Sequence, residues 1–377
     1  MKIIAAPDSF KGSISAQAAA RAMKSGILDV LPDAQVVELP LADGGEGTTN
    51  NLVAATGGHI THQQVTGPLG RSVKAGYGIL GDGKTCVIEI AEASGLPLIR
   101  SIDRNPEIAS TEGTGELIRH ALDAGMREFI IGLGGSATND GGTGMLRALG
   151  MKFLDAQGAP VKPGGGDLRR LAEIDASEFD ARIQECRFLI ASDVDNPLVG
   201  PNGASNVFGP QKGATEEMVE RLDDNLRHYA DAVERVAGIA LHDYPGAGAA
   251  GGAGGAFLAF FPAQMRRGID VVLEASGFLE HVENCDLVLT GEGKSDLQTL
   301  SGKTPYGVAE LAARYKKPVL LVSGMIASDS RYALEEHFTE VHAVVGESVS
   351  QKQSFLHPEK YLRQKTKQVI AAYQKIN

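Results

Sequence analysis

The sequence is short of cysteine, of positive charge and of long apolar runs, and each shortage excludes something. Its three cysteines, Cys86, Cys186 and Cys285, lie far apart in 377 residues, with no CxxC pair and an odd count. A disulfide scaffold does not fit that pattern; buried thiols in a reducing compartment, the cytoplasm, fit it best. The nine histidines form no HExxH motif and no ligand spacing, so zinc chemistry is not expected. Lys and Arg number 36 against 47 Asp and Glu, a net charge of -11. That excludes a general nucleic-acid grip, which needs a basic stripe, but leaves room for a local cationic pocket. The opening MKIIAAPDSF has too few apolar residues before Pro7 and Asp8 for a signal peptide and reads as a core strand. Tyr244–Met265 carries no charge, yet its first half is Ala and Gly and Pro245 and Pro262 bracket it. It would insert poorly, so no membrane segment is expected.

What is present is a globular chain rich in glycine. Hydrophobic residues make up 43% and charged residues 22%, enough for a full core and too apolar for global disorder. Its length suits two domains. Glycine supplies 47 residues, well above the usual ~7%, which points to many tight loops.

Short β-branched runs at Ile3–Ala6, Val36–Leu39, Leu287–Leu289, Val319–Val322 and Val341–Val345 have strand length. Each is followed by a polar or glycine-rich turn and a helical pattern. Ser15 is placed to cap a first helix carrying Ala19, Ala22, Met23 and Ile27. Thr304-Pro305 reads as a cap and first helical residue, and a last helix is expected over Pro358 to Lys375. Such alternation predicts an α/β fold with a doubly wound parallel sheet. More than two hundred residues separate the second strand from the third. The expected organisation is therefore a discontinuous α/β domain, 1–58 with 283–377, interrupted by a second α/β domain, 59–282, with the site in the crevice between them.

Two nucleotide-type patterns compete. Gly78 to Thr85 satisfies the Walker A expression GxxxxGK[ST]. Its mechanism requires a helix after the loop, whereas here Cys86–Ile90 alternates as a strand, so Gly81-Asp82-Gly83-Lys84 is expected to be a hairpin turn. The segment Ile130–Gly144, with Gly134, Gly135, Ser136, Asn139 and Asp140, leaves a strand and enters a helical pattern. That is the context an anion-binding backbone loop needs. GxGxxA at Gly132, Gly134 and Ala137 also allows a dinucleotide-dependent hydroxy-acid oxidoreductase as a weaker rival. A two-domain carboxylate-binding protein is the non-enzyme alternative.

Four acidic clusters stand at strand ends: Asp8-Ser9-Phe10-Lys11, Asp43 to Glu46, Asp193-Val194-Asp195, and Glu292 to Asp296. Carboxylates spaced by glycine suit Mg²⁺, which takes few protein oxygens and keeps waters or substrate phosphates. Lys11, Arg71 and Lys212 lie in Gly/Pro loops beside such clusters, where a flexible charge on a fixed backbone can hold an anion.

Together PDSFKGSISA, PLADGGEGT, GLGGSATNDGGTGM, SDVDNPLVGPNGAS, VFGPQKGA, PGAGAAGGAGGA and TGEGKSDLQTLSGKTPYGVA closely resemble the bacterial type-1 glycerate kinases over essentially the whole chain. The resemblance implies ATP- and Mg²⁺-dependent phosphorylation of D-glycerate, with 2-phosphoglycerate as product. It implies small-molecule partners, with neither nucleic acid nor membrane. It also implies a flavodoxin-like domain and a second domain of restriction-endonuclease-like topology. On this resemblance, Arg71 and Ser9 are expected to meet the glycerate carboxylate, with Asp8 and Asp43 in the same substrate site. Lys11 is expected near the transferring phosphoryl, and Asp193 or equally Asp195 as the base. Glu292 and Asp296 are expected to hold Mg²⁺. Gly134, Gly135, Ser136, Asn139 and Asp140 are expected to cradle the nucleotide phosphates together with Lys212, and Gly246–Gly255 to shape the nucleotide pocket. Lys294 stands where many members are expected to carry arginine, which keeps the charge and loses a bidentate fork. Attack by the 3-hydroxyl is the alternative regiochemistry.

Overall fold

The structure is a computed structural model that describes residues 1–376. The chain divides into two compact units. The first comprises Met1–Asp43, Asn50–Gly57 and the chain from Ile269 onward; the second comprises Gly44–Thr49 and Gly58–Gly268.

The first unit is built on a five-stranded sheet, parallel throughout. Across the sheet the order is Glu340–Ala343, Val319–Ser323, Leu287–Thr290, Lys2–Ala5 and Gln35–Glu38. Helices cover a parallel sheet on both faces, so its strands read as continuous apolar runs rather than alternating ones. Ile3, Ile4, Leu287, Val288, Leu289, Leu320 and Leu321 are accordingly fully buried. Helix Ala16–Leu28 begins where expected, the Ala18 N–H donating to Ser15 Oγ at 3.2 Å. Its Ala19, Met23 and Ile27 pack into the sheet core with Leu362, Val369 and Ile370 of the last helix, Pro358–Ile376. The two helices touch through Gly26: a Cβ there would sit 2.5 Å from the Arg363 carbonyl oxygen, so only glycine permits the approach.

The second unit carries a six-stranded mixed sheet. Ala263–Arg266, Arg187–Ala191, Glu128–Gly132 and Thr85–Glu89 are parallel neighbours. Ser72–Ile79 and His59–Thr66 extend the edge antiparallel. The Walker-like segment is the hairpin turn between Ser72–Ile79 and Thr85–Glu89. Asp82 accepts the Lys84 and Thr85 N–H groups at 2.8 and 2.9 Å, and Gly83 supplies φ 67°. Helix Glu216–Ala237 is capped by Thr215 and closed by the left-handed Gly238. Phe129 and Phe188 of neighbouring strands stack at 4.6 Å between ring centroids, with Phe257 and Phe261 against Phe188. The uncharged stretch after Tyr244 folds as a tight turn at 249–252 and the helix Ala253–Phe260, most of it buried in this core. Among the described residues no helix is long and apolar enough to cross a membrane.

Candidate active site

In the first unit, loops leaving the carboxyl ends of all five sheet strands line one cavity of about 430 Å³. Strand Lys2–Ala5 delivers Asp8, Ser9 and Lys11; strand Leu287–Thr290 delivers Glu292, Lys294 and Asp296; Asp43 and Lys303 also line it. Six of the residues expected to form the site therefore meet here. The first two strands are neighbours in the sheet, their register running Ile3 opposite Leu287. Strand order reverses between them, the place where open α/β sheets put their ligand.

The carboxylates there hold one another in an unusual state. Asp8 is pushed up to about 6, first by burial and then by the neighbouring Asp43 and Glu292 charges. It accepts from the Ser9 N–H and, at 2.7 Å, from the Thr304 hydroxyl. Thr304 thus departs from its expected place as a cap: the cap position falls on Lys303, and the Thr304 side chain donates to Asp8 instead. Glu292 is also raised by burial, opposed by its hydrogen bonds. The Ser295 and Thr299 hydroxyls both bond its Oε1, at 2.9 and 2.7 Å. Asp296 caps the turn 297–301 through the Gln298 N–H, 3.0 Å, and lies 3.6 Å from Lys294. Lys294 is exposed, so that pair adds little to stability.

In the second unit the glycine loop follows strand Glu128–Gly132 and is closed from within. Gly134 and Gly135 are exposed, but Ser136, Asn139 and Asp140 are buried. Asp140 accepts from the Thr111 N–H and hydroxyl at 2.9 Å each, and from the Gly142 and Gly144 N–H groups at 3.1 and 3.2 Å. Burial raises it nonetheless. Asn139 Nδ2 donates to Ser205 Oγ at 2.9 Å. Lys212, 2% exposed, donates to Ser136 Oγ at 3.1 Å and the Thr138 carbonyl at 2.7 Å; burial pushes it down to about 7. Gly246–Gly255 is likewise buried, apart from its first residue's contact with a second cavity.

That second cavity, about 640 Å³, is lined by Asp193 and Asp195, both exposed, together with Arg266 and Arg267. The two loops leave adjacent parallel strands, and the Gly268 N–H donates to Asp193 Oδ1 at 2.8 Å. Arg71 is exposed on the turn closed by the Gly67 N–H to the Arg71 carbonyl, 2.7 Å, and lines neither cavity.

The whole chain matches a family model. Residues 3–374 fit the model of the glycerate kinase family. The chain belongs to the glycerate kinase family. It is 50% identical to the glycerate kinase of Bacillus subtilis (strain 168) over 99% of this chain and 97% of that one. It is 51% identical to the glycerate 2-kinase of Escherichia coli (strain K12), over 87% and 86%. A crystal structure from Salmonella typhimurium LT2, provisionally named glycerate kinase 2, superposes with TM-score 0.90 at 47% identity, covering 100% of this chain and 98% of that one.

A kinase of this family raises the question of a divalent cation. The carboxylates lining the cavity of the first unit, Asp8, Asp43, Glu292 and Asp296, are hard oxygen donors. Among the described residues no three His, Cys, Asp or Glu side chains group so as to hold an ion by themselves. This donor set fits Mg²⁺ bound by one or two carboxylates with water and phosphate oxygens, and does not fit an all-protein cage.

Sequence reading missed the part played by three groups. Glu89, at the end of its strand, accepts from the Gly47 and Thr49 N–H groups at 3.1 and 2.7 Å and so fixes that segment. An acid inside the apolar run CVIEI was its only signal. The Arg266-Arg267 pair carried none and Thr304 signalled only a cap, because their meaning depends on which strand end lies beside them.

Proposed function

We propose that the protein transfers the γ-phosphoryl group of ATP to the 2-hydroxyl of D-glycerate, giving 2-phospho-D-glycerate. One observation carries the reading: carboxylates and lysines from sequence-distant loops converge on one cavity at the strand-order reversal of the first unit. The Escherichia coli relative named glycerate 2-kinase supports the 2-position.

Phosphoryl transfer asks a protein for positioning, charge neutralisation and a proton acceptor. Arg71 and Ser9 bind the glycerate carboxylate, with Asp8 and Asp43 orienting its hydroxyls. Lys11 neutralises charge on the transferring group. Asp193 takes the proton of the attacking hydroxyl, a role Asp195 can equally fill. Gly134 and Gly135 offer backbone N–H groups to the nucleotide phosphates. Ser136, Asn139 and Asp140 belong to the same nucleotide loop, and Lys212, from the turn Pro210–Lys212, bonds into it; these bonds hold its shape. Glu292 and Asp296 would hold Mg²⁺, which supplies charge neutralisation of the phosphates when bound.

We infer the finer fold in the same way. Numbered along the chain, the first unit's strands run 2-1-3-4-5 across the sheet, which supports a flavodoxin-like topology. The mixed sheet of the second unit is compatible with a restriction-endonuclease-like one. Three free, buried cysteines accord with a cytoplasmic setting.

The test is a reaction of ATP, Mg²⁺ and D-glycerate followed by ³¹P NMR and by enolase coupling without mutase. Immediate enolase turnover is expected. A phosphomonoester that enolase ignores would move attack to the 3-hydroxyl, and no transfer from folded protein would remove glycerate as acceptor.

A further inference from the structure

The cavity of the first unit is larger and more apolar than a three-carbon acid requires. Polar lining comes chiefly from the loops after strands Lys2–Ala5 and Leu287–Thr290; the loops after Val319–Ser323 and Glu340–Ala343 add Met325, Val344 and Val345. These four strands are consecutive in the sheet. At ~4.8 Å per spacing the lining loops are spread over roughly 14 Å. Glycerate, with a carboxylate and two hydroxyls on three carbons, covers about one spacing and has no apolar face to set against Met325 or Val344. At about 430 Å³ the cavity falls in the range that encloses much larger ligands.

An aromatic side chain with no role in the core completes the lining. Phe355, on helix Gln351–Leu356, is 57% exposed. Its ring would lie 3.7 Å from a Cβ placed on Gly12, so it reaches from that helix to the turn that carries Lys11. The helix itself is fixed by a capping box, Ser350 Oγ and Gln353 bonding each other's backbone N–H at 3.3 and 2.9 Å. A flat apolar face is thereby held beside Lys11, Lys294 and Lys303. One ligand class carries an aromatic ring at one end and several negative charges at the other.

We propose that this cavity seats the purine nucleoside of ATP, with the base against Phe355. The assignment rests on the reading of the chain as an ATP-dependent kinase. Base–aromatic stacking is sequence-tolerant and its removal typically weakens binding about tenfold or more.

The experiment compares wild type, Phe355→Ala and Phe355→Trp in two assays. Calorimetric titration with Mg·ADP gives Kd; steady-state kinetics gives KM for ATP and, at saturating ATP, KM for glycerate. Phe355→Ala is expected to raise Kd for Mg·ADP and KM for ATP about tenfold. KM for glycerate and the inhibition constant of inorganic tripolyphosphate should stay within about twofold, and Phe355→Trp should bind Mg·ADP like wild type. Because Phe355 is exposed, the variant should fold, and an unchanged tripolyphosphate constant checks that it has. Unchanged Kd and KM for the nucleotide in Phe355→Ala, with glycerate still phosphorylated, would overturn the nucleoside seat while leaving the kinase reading intact. A weakened Mg·ADP titration in a protein that does not phosphorylate glycerate would do the reverse.

Discussion

Two loops of the second unit leave neighbouring parallel strands at the same edge of the sheet, Gly132 standing opposite Ala191. Both are polar and both contain aspartate, yet they end in opposite conditions. After Gly132 the chain turns its polar side chains inward: Asp140 is fully buried and bonded to two backbone N–H groups of its own loop and to Thr111. After Ala191 it leaves Asp193 and Asp195 exposed in the wall of a cavity. The carboxyl edge of a sheet is where ligands gather, but position alone does not make a ligand contact. What decides is whether the loop already supplies the carboxylate with donors. A loop that closes on its own aspartate gains a fixed backbone; a loop that turns its aspartate outward keeps an exposed carboxylate in a cavity wall.

The comparison breaks most sharply at Asp140. Replacing it with alanine strips partners from buried N–H groups of Thr111, Gly142 and Gly144 and from the Thr111 hydroxyl. It also leaves Lys212 without the charge that favours its protonated form. Asp140→Ala should lose about 3–5 kcal/mol of unfolding free energy in urea denaturation, with the slope of the transition preserved. A loss below about 1 kcal/mol would mean that the loop holds its shape without its aspartate.

At Asp193 the same kind of change should act on rate rather than on folding. Asp193→Asn keeps an oxygen for the Gly268 N–H, 2.8 Å away, and removes the basicity. Turnover should fall by a factor of about 10² or more, while stability stays within about 0.5 kcal/mol. Unchanged kcat would take Asp193 out of the proton transfer and turn attention to Asp195. Were both aspartates to prove alike, either both structural or both kinetic, the contrast between the loops would dissolve.

Local rules made much of this architecture readable in advance. The run Phe188–Ala191, the Ser15 cap and the glycine turn at 81–84 each declare themselves through period, cap chemistry or turn residues within a few positions, and each stands in the structure. The strand order of the first unit did not declare itself, because pairing Ile3 with Leu287 is a contact across most of the chain. The direction of a polar side chain was hidden for the same reason. Asp140 and Asp193 look alike in sequence, and what separates them is Thr111 in one case and Gly268 in the other, both remote in the chain. Thr304 shows the same limit: a threonine before proline satisfies every local criterion for a cap, and its hydroxyl is claimed by Asp8 nearly three hundred residues away.

Lys212 gives the finest test of how closed the glycine loop is. Burial holds its ammonium down to about 7, against an ordinary value near 10.5. Between those two values the unfolded chain carries a proton that the folded one has shed, so stability rises with pH across that window. The contribution is complete above about 10.5 and is lost as pH falls through about 7. Lys212→Met keeps the volume and removes the titration. The stability difference, wild type minus variant, should therefore increase by up to about 1.4 kcal/mol per pH unit between pH 7.5 and 8.5. Loss of the bonds to Ser136 and Thr138 shifts that difference by a constant and leaves its slope alone. A flat difference would mean that the folded loop keeps Lys212 charged. Water or a compensating carboxylate would then reach it, and the loop would be open in the sense that the Asp193 loop is.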